Sequence, residues 1–163
     1  MDIEILIDDQ YQQLVRPQDL EKAAGAAVSF IRSGENVELG IVITSDEEMQ
    51  RLNRIYRGID ATTDVLSFAM QDDPAEVDED EAISQFPLVS DGVEHLGEVI
   101  ISFPQAFGQA EAAAHSLPRE ITILVIHGVL HLLGFDHEEE AEAEVMEKHE
   151  ADILLALESE DRQ

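Results

Sequence analysis

Polar and apolar residues alternate in several short stretches of the chain, and each such stretch predicts a β-strand. In residues 3–8, IEILID, every second side chain is apolar, which is typical of a strand with one buried face. The other runs of strand length are VELGIVIT, DVLSFAM and HLGEVIISF. The pattern therefore predicts four strands, at residues 3–8, 37–44, 64–70 and 95–103.

Apolar residues recur at helical spacing between and after these strands, and this spacing predicts five helices. The first, at residues 18–32, has an apolar stripe made of Leu20, Ala23, Ala24, Ala27, Val28 and Ile31. The second begins after Ser45, a good N-cap residue, and Glu48 three positions later completes the pattern of a capping box. It runs to about Tyr56. The other three helices are predicted at residues 104–114, 117–133 and 138–157.

The helix at residues 117–133 is expected at the centre of the fold, because the stretch ITILVI before His127 is apolar on all sides. The last helix combines an acidic face with an apolar stripe of Val145, Ile153, Leu154 and Leu157. The order of elements predicts an α/β fold of the α+β type, in which helices cover one small mixed sheet of about four strands. Residues 1–163 contain no repeat or linker, so a single domain is expected.

The longest gap in this pattern is strongly acidic. Seven of the ten residues from Asp72 to Glu81 are Asp or Glu. Residues 71–94 are therefore interpreted as a solvated, mobile loop. The alternative is an acidic arm that mimics nucleic acid or binds cations.

The net charge of the whole chain is −28, and only nine residues are Lys or Arg. Taken alone, this charge argues against nucleic acid as a partner, because a polyanion is repelled at long range. Physiological salt limits the repulsion to roughly 8 Å. The chain has no cysteine, so any metal ion must be held by His, Asp or Glu.

The first ten residues, MDIEILIDDQ, contain no basic segment and no long apolar run. Neither a signal peptide nor a membrane span is expected from them. A cytoplasmic location is the resulting prediction.

Three of the six histidines lie within the eleven residues HGVLHLLGFDH. His127 and His131 are four residues apart, so they face the same side of a helix and can reach one ion. Gly134 provides the bend that brings His137 back to that ion. Three imidazoles around one Zn²⁺ leave a fourth position for water, as in catalytic zinc sites. The alternative is a set of core histidines bonded to backbone carbonyls.

The residue after the first histidine is Gly128, where zinc peptidases of the HExxH type carry their catalytic glutamate. Without that base the site is poorly equipped for peptide hydrolysis. A phosphodiester places different demands, since a metal ion and a nearby cation can neutralise the phosphoryl oxygens. Asp136, beside the third histidine, either orients a ligand histidine or caps the following helix.

A nearby cation is available in the segment LNRIYRGIDATTDVLSF. Arg51, Arg54 and Arg57 span about 120° of a helix and so share one face. One interpretation is a patch that faces phosphate, to which the arginine fork is well matched. The other is a solvated face whose arginines pair with Glu47 and Glu48.

Three segments together, LNRIYRGIDATTDVLSF, HLGEVIIS and HGVLHLLGFDH, resemble the YbeY family of bacterial endoribonucleases. The resemblance covers roughly residues 39–157 and is most specific in HGxLHLxGxDH. It implies a single α/β domain, one zinc ion on His127, His131 and His137, and an essential arginine at Arg57. It also implies cleavage of single-stranded RNA in maturation of the small-subunit ribosomal RNA 3′ end and in ribosome quality control. The implied partners are a small-subunit ribosomal protein and a ribosome-associated GTPase.

The resulting hypothesis is that RNA enters a groove between the zinc helix and residues 57–64, where Arg57 balances charge in the transition state. Two alternatives remain open at this point. One is a metal-dependent hydrolase of another substrate, such as a peptide. The other is a non-catalytic assembly factor that docks on the small ribosomal subunit.

Overall fold

A computed structural model describes residues 1–32, 36–70, 93–136 and 138–161. The acidic loop predicted at residues 71–94 lies outside the described residues except for its last two positions, and Glu94 already belongs to a strand. The third predicted zinc ligand, His137, also lies outside them.

In the described residues four strands form one mixed sheet, as the sequence predicts. They are β1 (Asp2–Ile7), β2 (Val37–Thr44), β3 (Val65–Ala69) and β4 (Glu94–Ser102). Their order across the sheet is β1-β2-β4-β3. The first three in that order are parallel, and β3 pairs antiparallel with β4 at one edge. The connection from β3 to β4 therefore returns the chain to the middle of the sheet.

Five helices surround this sheet in the described part of the chain. They are α1 (Pro17–Ile31), α2 (Asp46–Arg57), α3 (Phe103–Ala113), α4 (Leu117–Leu132) and α5 (Glu140–Asp161). Their limits agree with the sequence to within a few residues, and a short 3-10 helix (Asp9–Tyr11) precedes α1. None of the described helices is both long and apolar enough to cross a membrane.

The main core lies between one face of the sheet and helices α1, α4 and α5. Ile41 and Ile101 point into it from the two central strands, and Val125 and Val129 from α4. Helix α4 contacts α1, α3, α5, β3 and β4, which confirms its predicted central position. A smaller apolar cluster on the other sheet face packs Met49 of α2 against neighbouring strands. Helices α4 and α2 therefore pack on opposite faces of the sheet.

The apolar stripe of the last helix differs from the prediction at one position. Val145 is 48% exposed, whereas the next residue, Met146, is 1% exposed. Met146 lies seven and eleven residues before Ile153 and Leu157, and both intervals are close to whole numbers of helical turns. Met146 therefore replaces Val145 on the buried side.

Candidate metal and phosphate site

His127 and His131 lie in the last turns of α4, with their rings turned towards each other. Their Nε2 atoms are 3.1 Å apart, and their ring planes are inclined by 79°. Two nitrogens bound to one tetrahedral zinc ion at its usual bond lengths are roughly 3.3 Å apart. Both side chains are half-buried. The pair therefore fits the spacing of two metal-ligating nitrogens.

The bend that the sequence predicts after this helix is present. Gly134 has a φ angle of +100°, in the region that glycine adopts without strain. Its N–H donates to the carbonyl of His131, and the N–H of Phe135 donates to that of Leu130. These bonds end α4 and turn the chain. Within the described part of the chain, which leaves out His137, no three potential metal-ligating side chains converge. The three-histidine set stays a prediction.

A carboxylate from α5 contacts the first histidine at Nδ1, the ring nitrogen that does not face His131. Glu150 Oε1 forms a short contact with Nδ1 of His127, and both side chains are partly buried. A carboxylate accepting the Nδ1–H bond leaves the lone pair on Nε2, which is the atom that faces His131. The sequence pattern suggested this orienting role for Asp136 only, and Glu150 was missed. Helical spacing provides a signal for Glu150, which lies four residues after Met146 and three before Ile153. Both of these residues are on the buried side of α5.

Asp136 does not lie directly before the last helix, because α5 begins at Glu140 rather than at the predicted Glu138. Both proposed roles of Asp136, orienting a ligand histidine and capping the helix, therefore stay predictions.

Gly128 shows why a glutamate has no room after the first histidine. A Cβ atom there would lie 2.5 Å from Val99 Cγ1 and 3.2 Å from Ser67 Oγ. Helix α4 thus packs its backbone directly against β3 and β4 at this point. The position faces the sheet and not the histidine pair, so it could not present a base to a ligand there.

Arg57 is joined to the histidine helix by two hydrogen bonds. Its guanidinium donates to the carbonyl of Ser67 at 3.2 Å, and the hydroxyl of Ser67 donates to the carbonyl of Gly128 at 3.0 Å. Arg57 is the last residue of α2, and Gly58 follows with a φ angle of +71°. The strand residue Ser67 therefore bridges the end of α2 and the turn of α4 that carries His127.

The three arginines of α2 do not behave alike. Arg51 pairs with Glu48, and Arg54 lies 3.8 Å from Asp60. No ion pair found among the described residues includes Arg57. Glu48 also fulfils only half of the predicted capping box, since its backbone N–H donates to Ser45 while its carboxylate turns to Arg51. The solvated-face interpretation suits Arg51 and Arg54, and the phosphate interpretation suits Arg57.

Residues 58–64, which follow Arg57, are anchored by several hydrogen bonds, including those from Asn53 to the carbonyl of Ala61 and from Gln109 to Asp64, and one of them is to the carboxylate of Asp46. Asp46 accepts hydrogen bonds from Thr62 at 3.0 Å, Ser102 at 2.7 Å and Gln105 at 3.1 Å. Burial acts to raise the pKa of Asp46, but these hydrogen bonds outweigh it, and the pKa lies below its usual value. The ionised carboxylate therefore ties the loop to the starts of α2 and α3.

The other three histidines that the structure describes do not join the pair. His95 and His115 each lie beside a carboxylate, at 3.4 and 2.7 Å. His149 packs edge-on against Phe135, with ring centroids 5.1 Å apart. These environments agree with the surface and packing roles that the sequence predicts.

Comparison with known proteins assigns the chain to a family. The family model described as endoribonuclease YbeY matches residues 6–158. A Dehalococcoides mccartyi protein named endoribonuclease YbeY is 47% identical over 156 residues, which cover 95% of this chain and 88% of that protein. A Chloroflexus aurantiacus protein of the same name is 43% identical over 139 residues, covering 85% of this chain and 84% of its own.

A solved structure gives independent support for the fold. The solution structure of TM1509 from Thermotoga maritima matches with a TM-score of 0.55 at 24% identity, over 97% of this chain and 93% of that one. This likeness concerns the fold alone. From the family model and the relatives together, the chain belongs to the endoribonuclease YbeY family.

Proposed function

We propose that this chain is a zinc-dependent endoribonuclease that cleaves single-stranded RNA. Membership of the endoribonuclease YbeY family supports the general class, a hydrolase that acts on RNA in ribosomal RNA processing. The more specific role we propose is maturation of the 3′ end of the small-subunit ribosomal RNA, together with ribosome quality control.

The observation that carries the proposal is the linked arrangement of Arg57 and the histidine pair. Arg57 and Gly128 both bond to Ser67, and Gly128 follows His127 directly. A cation with no carboxylate partner among the described ion pairs is thus linked through Ser67 to the helical turn that carries His127, one of two histidines whose nitrogens have metal-ligand spacing. Phosphodiester cleavage needs such a combination, because negative charge develops on the phosphoryl oxygens.

His127, His131 and His137 would hold the zinc ion in this proposal. When bound, the ion would act as a Lewis acid, which would lower the pKa of a water molecule and neutralise a phosphoryl oxygen. Glu150 holds His127 in the tautomer whose Nε2 carries the lone pair that a metal ligand needs. The Arg57 guanidinium, oriented by the Ser67 carbonyl, binds the scissile phosphate and balances the charge of its transition state.

The partners belong to the same proposal. A protein with a net charge of −28 attracts basic surfaces, and ribosomal proteins are the basic class available on the small subunit. We propose a small-subunit ribosomal protein and a ribosome-associated GTPase as partners, in the cytoplasm. Peptide cleavage is disfavoured, because zinc peptidases carry their catalytic glutamate at the position of Gly128. Here Gly128 packs so closely against Val99 that a side chain has no room.

The decisive experiment combines metal analysis with an RNA cleavage assay. The purified chain is expected to contain about one zinc ion per molecule, as a single three-histidine site requires. It should cleave a single-stranded RNA oligonucleotide, lose that activity on chelation and regain it when zinc is restored. Cleavage that persists in fully chelated protein would disprove the metal dependence. Turnover of a peptide panel with no RNA cleavage would disprove the substrate.

A further inference from the structure

The two tyrosines of the chain occupy opposite environments. Tyr11 is 9% exposed and stacks on Phe103 in the core, with ring centroids 4.4 Å apart. Tyr56 is 61% exposed, although it lies on α2 directly before Arg57. An aromatic ring left this open costs hydrophobic burial. Its place next to the arginine suggests that something covers it during function.

Tyr56 does not stand alone on this surface. Its ring lies 5.2 Å from the ring of Phe68, centroid to centroid, at an angle of 54°. The guanidinium carbon of Arg57 lies 6.0 Å from the centroid of the same Phe68 ring. Phe68 is half-buried and packs against the small apolar cluster under α2. Two aromatic rings and a cation are thus grouped one strand residue away from Ser67.

We propose that Tyr56 and Phe68 form a stacking platform for one unpaired nucleobase, whose neighbouring phosphate is bound by Arg57. The inference rests on the proposed function and names a base-binding subsite for it. Aromatic rings beside an arginine are the usual means by which proteins hold bases of single-stranded RNA. A base in a duplex already has both faces stacked, so this platform selects single strands.

The charge of the protein favours such a platform. RNA-binding proteins commonly draw their affinity from lysines and arginines along the phosphate backbone. This chain has nine basic residues against 37 acidic ones, and several of its arginines pair with carboxylates. Stacking on Tyr56 contributes affinity that does not depend on net charge. It can therefore hold an RNA strand on an acidic surface.

The test uses a single-stranded RNA oligonucleotide with the fluorescent base 2-aminopurine placed at each position in turn. Stacking quenches this base, and stopped-flow mixing with the metal-loaded protein records the quench before cleavage. We expect one position to be quenched by the parent chain and by Tyr56→Phe, but not by Tyr56→Leu. Tyr56→Leu should bind the RNA roughly 5- to 50-fold more weakly, mainly through KM rather than kcat.

The matched control is Ile55→Ala. Ile55 is 55% exposed on the same helix and is adjacent to Tyr56, but points about 100° away. It should leave the quench and KM unchanged. A second control is RNA that lacks the base at the quenched position. With that RNA, Tyr56→Leu should bind as tightly as the parent chain, because the base that stacks on the tyrosine ring is already absent.

The outcomes separate this inference from the proposed function. If the parent cleaves RNA and no position distinguishes Tyr56→Leu from Tyr56→Phe, the platform is disproved while the enzyme stands. If quenching depends on the Tyr56 ring but RNA is not cleaved, the platform stands and the proposed function fails. An equal loss in Ile55→Ala and Tyr56→Leu would also overturn the platform, because it would indicate a general effect on α2.

Discussion

The histidine half of the site, formed by His127, His131, Gly128 and Glu150, is held by packing and by a helix-to-helix contact. The arginine half, formed by Arg57 and residues 58–64, is held by hydrogen bonds. In the first, the backbone of α4 lies so close to Val99 that no side chain fits between them. In the second, Asp46 accepts one hydrogen bond from Thr62 of the exposed loop and two more from Ser102 and Gln105, which join the loop to α3.

The difference between the two halves has a physical consequence. Close packing fixes distances at any pH and tolerates almost no change of volume. A network centred on a carboxylate tolerates changes in side-chain size but depends on ionisation. The histidine half should therefore be sensitive to added atoms, and the arginine half to lost charge.

The largest effect is expected for Arg57→Ala. Removing one preorganised donor to a developing negative charge typically lowers the rate by roughly 10²- to 10³-fold. The histidine pair lies on another helix, so the zinc content should not change. Initial rates of RNA cleavage, with metal analysis of each preparation, measure both quantities.

Arg51→Ala is the matched control for that variant. It removes the same charge from the same helix, but Arg51 already pairs with Glu48. A surface pair of this kind contributes about 0–1 kcal/mol to stability, and cleavage should proceed at the parent rate. Equal losses in the two variants would show that overall charge matters and not the place of Arg57.

Gly128→Ala tests the packing of the histidine half. The added methyl would lie 2.5 Å from Val99 Cγ1, so either the Val99 side chain or α4 must shift. Overpacking of this severity should lower the free energy of unfolding by about 2–3 kcal/mol. Urea unfolding at neutral pH measures it.

Gly108→Ala provides the comparison. Gly108 is a helical glycine in α3, and a Cβ atom there would meet nothing within 4 Å. Alanine should be neutral or stabilise the protein by up to about 1 kcal/mol. The prediction for Gly128 is wrong if both variants shift the unfolding midpoint in the same direction.

Glu150→Gln should weaken the metal site without unfolding the protein. Loss of a carboxylate that orients a ligand histidine typically lowers metal affinity by roughly 10- to 100-fold. Competition with a chromophoric zinc chelator gives the affinity. Glu147→Gln, an exposed position on the same helix, should bind zinc as the parent does. Equal affinities of the parent and Glu150→Gln would remove Glu150 from the site.

The two halves also differ in how far the sequence predicts them. The pairing of His127 with His131 follows from helical spacing, which is local, and the structure brings both rings together. Glu150 comes from another helix and Ser67 from a strand, so their contacts depend on how distant segments pack. Local periodicity can place Glu150 on the buried side of its helix, but it does not show which residue of another element Glu150 contacts.

The same limit explains one error and one choice that the sequence left open. Val145 and Met146 are both apolar neighbours, and only packing against the core decides which one is buried. The partners of the arginines on α2 likewise depend on where the following loop turns. Asp60 reaches Arg54, while Arg57 extends to the neighbouring strand. Spacing predicted a shared face but could not predict which arginine has no carboxylate partner among the residues that the structure describes.

The smallest effect is expected from Asp46→Asn, and it should depend on pH. Because the pKa of Asp46 is lower in the folded protein than its usual 3.8, the unfolded chain binds the proton more tightly. Its contribution is therefore complete above pH 3.8 and is lost as the pH falls through the folded pKa. At pH 6 the variant should be less stable than the parent by about 1 kcal/mol, since hydrogen bonds to a charged acceptor are lost. Urea unfolding of both proteins, repeated towards pH 3, should show this difference shrinking. A difference that stays constant with pH would mean that the loop is held by the shape of the side chain and not by its charge.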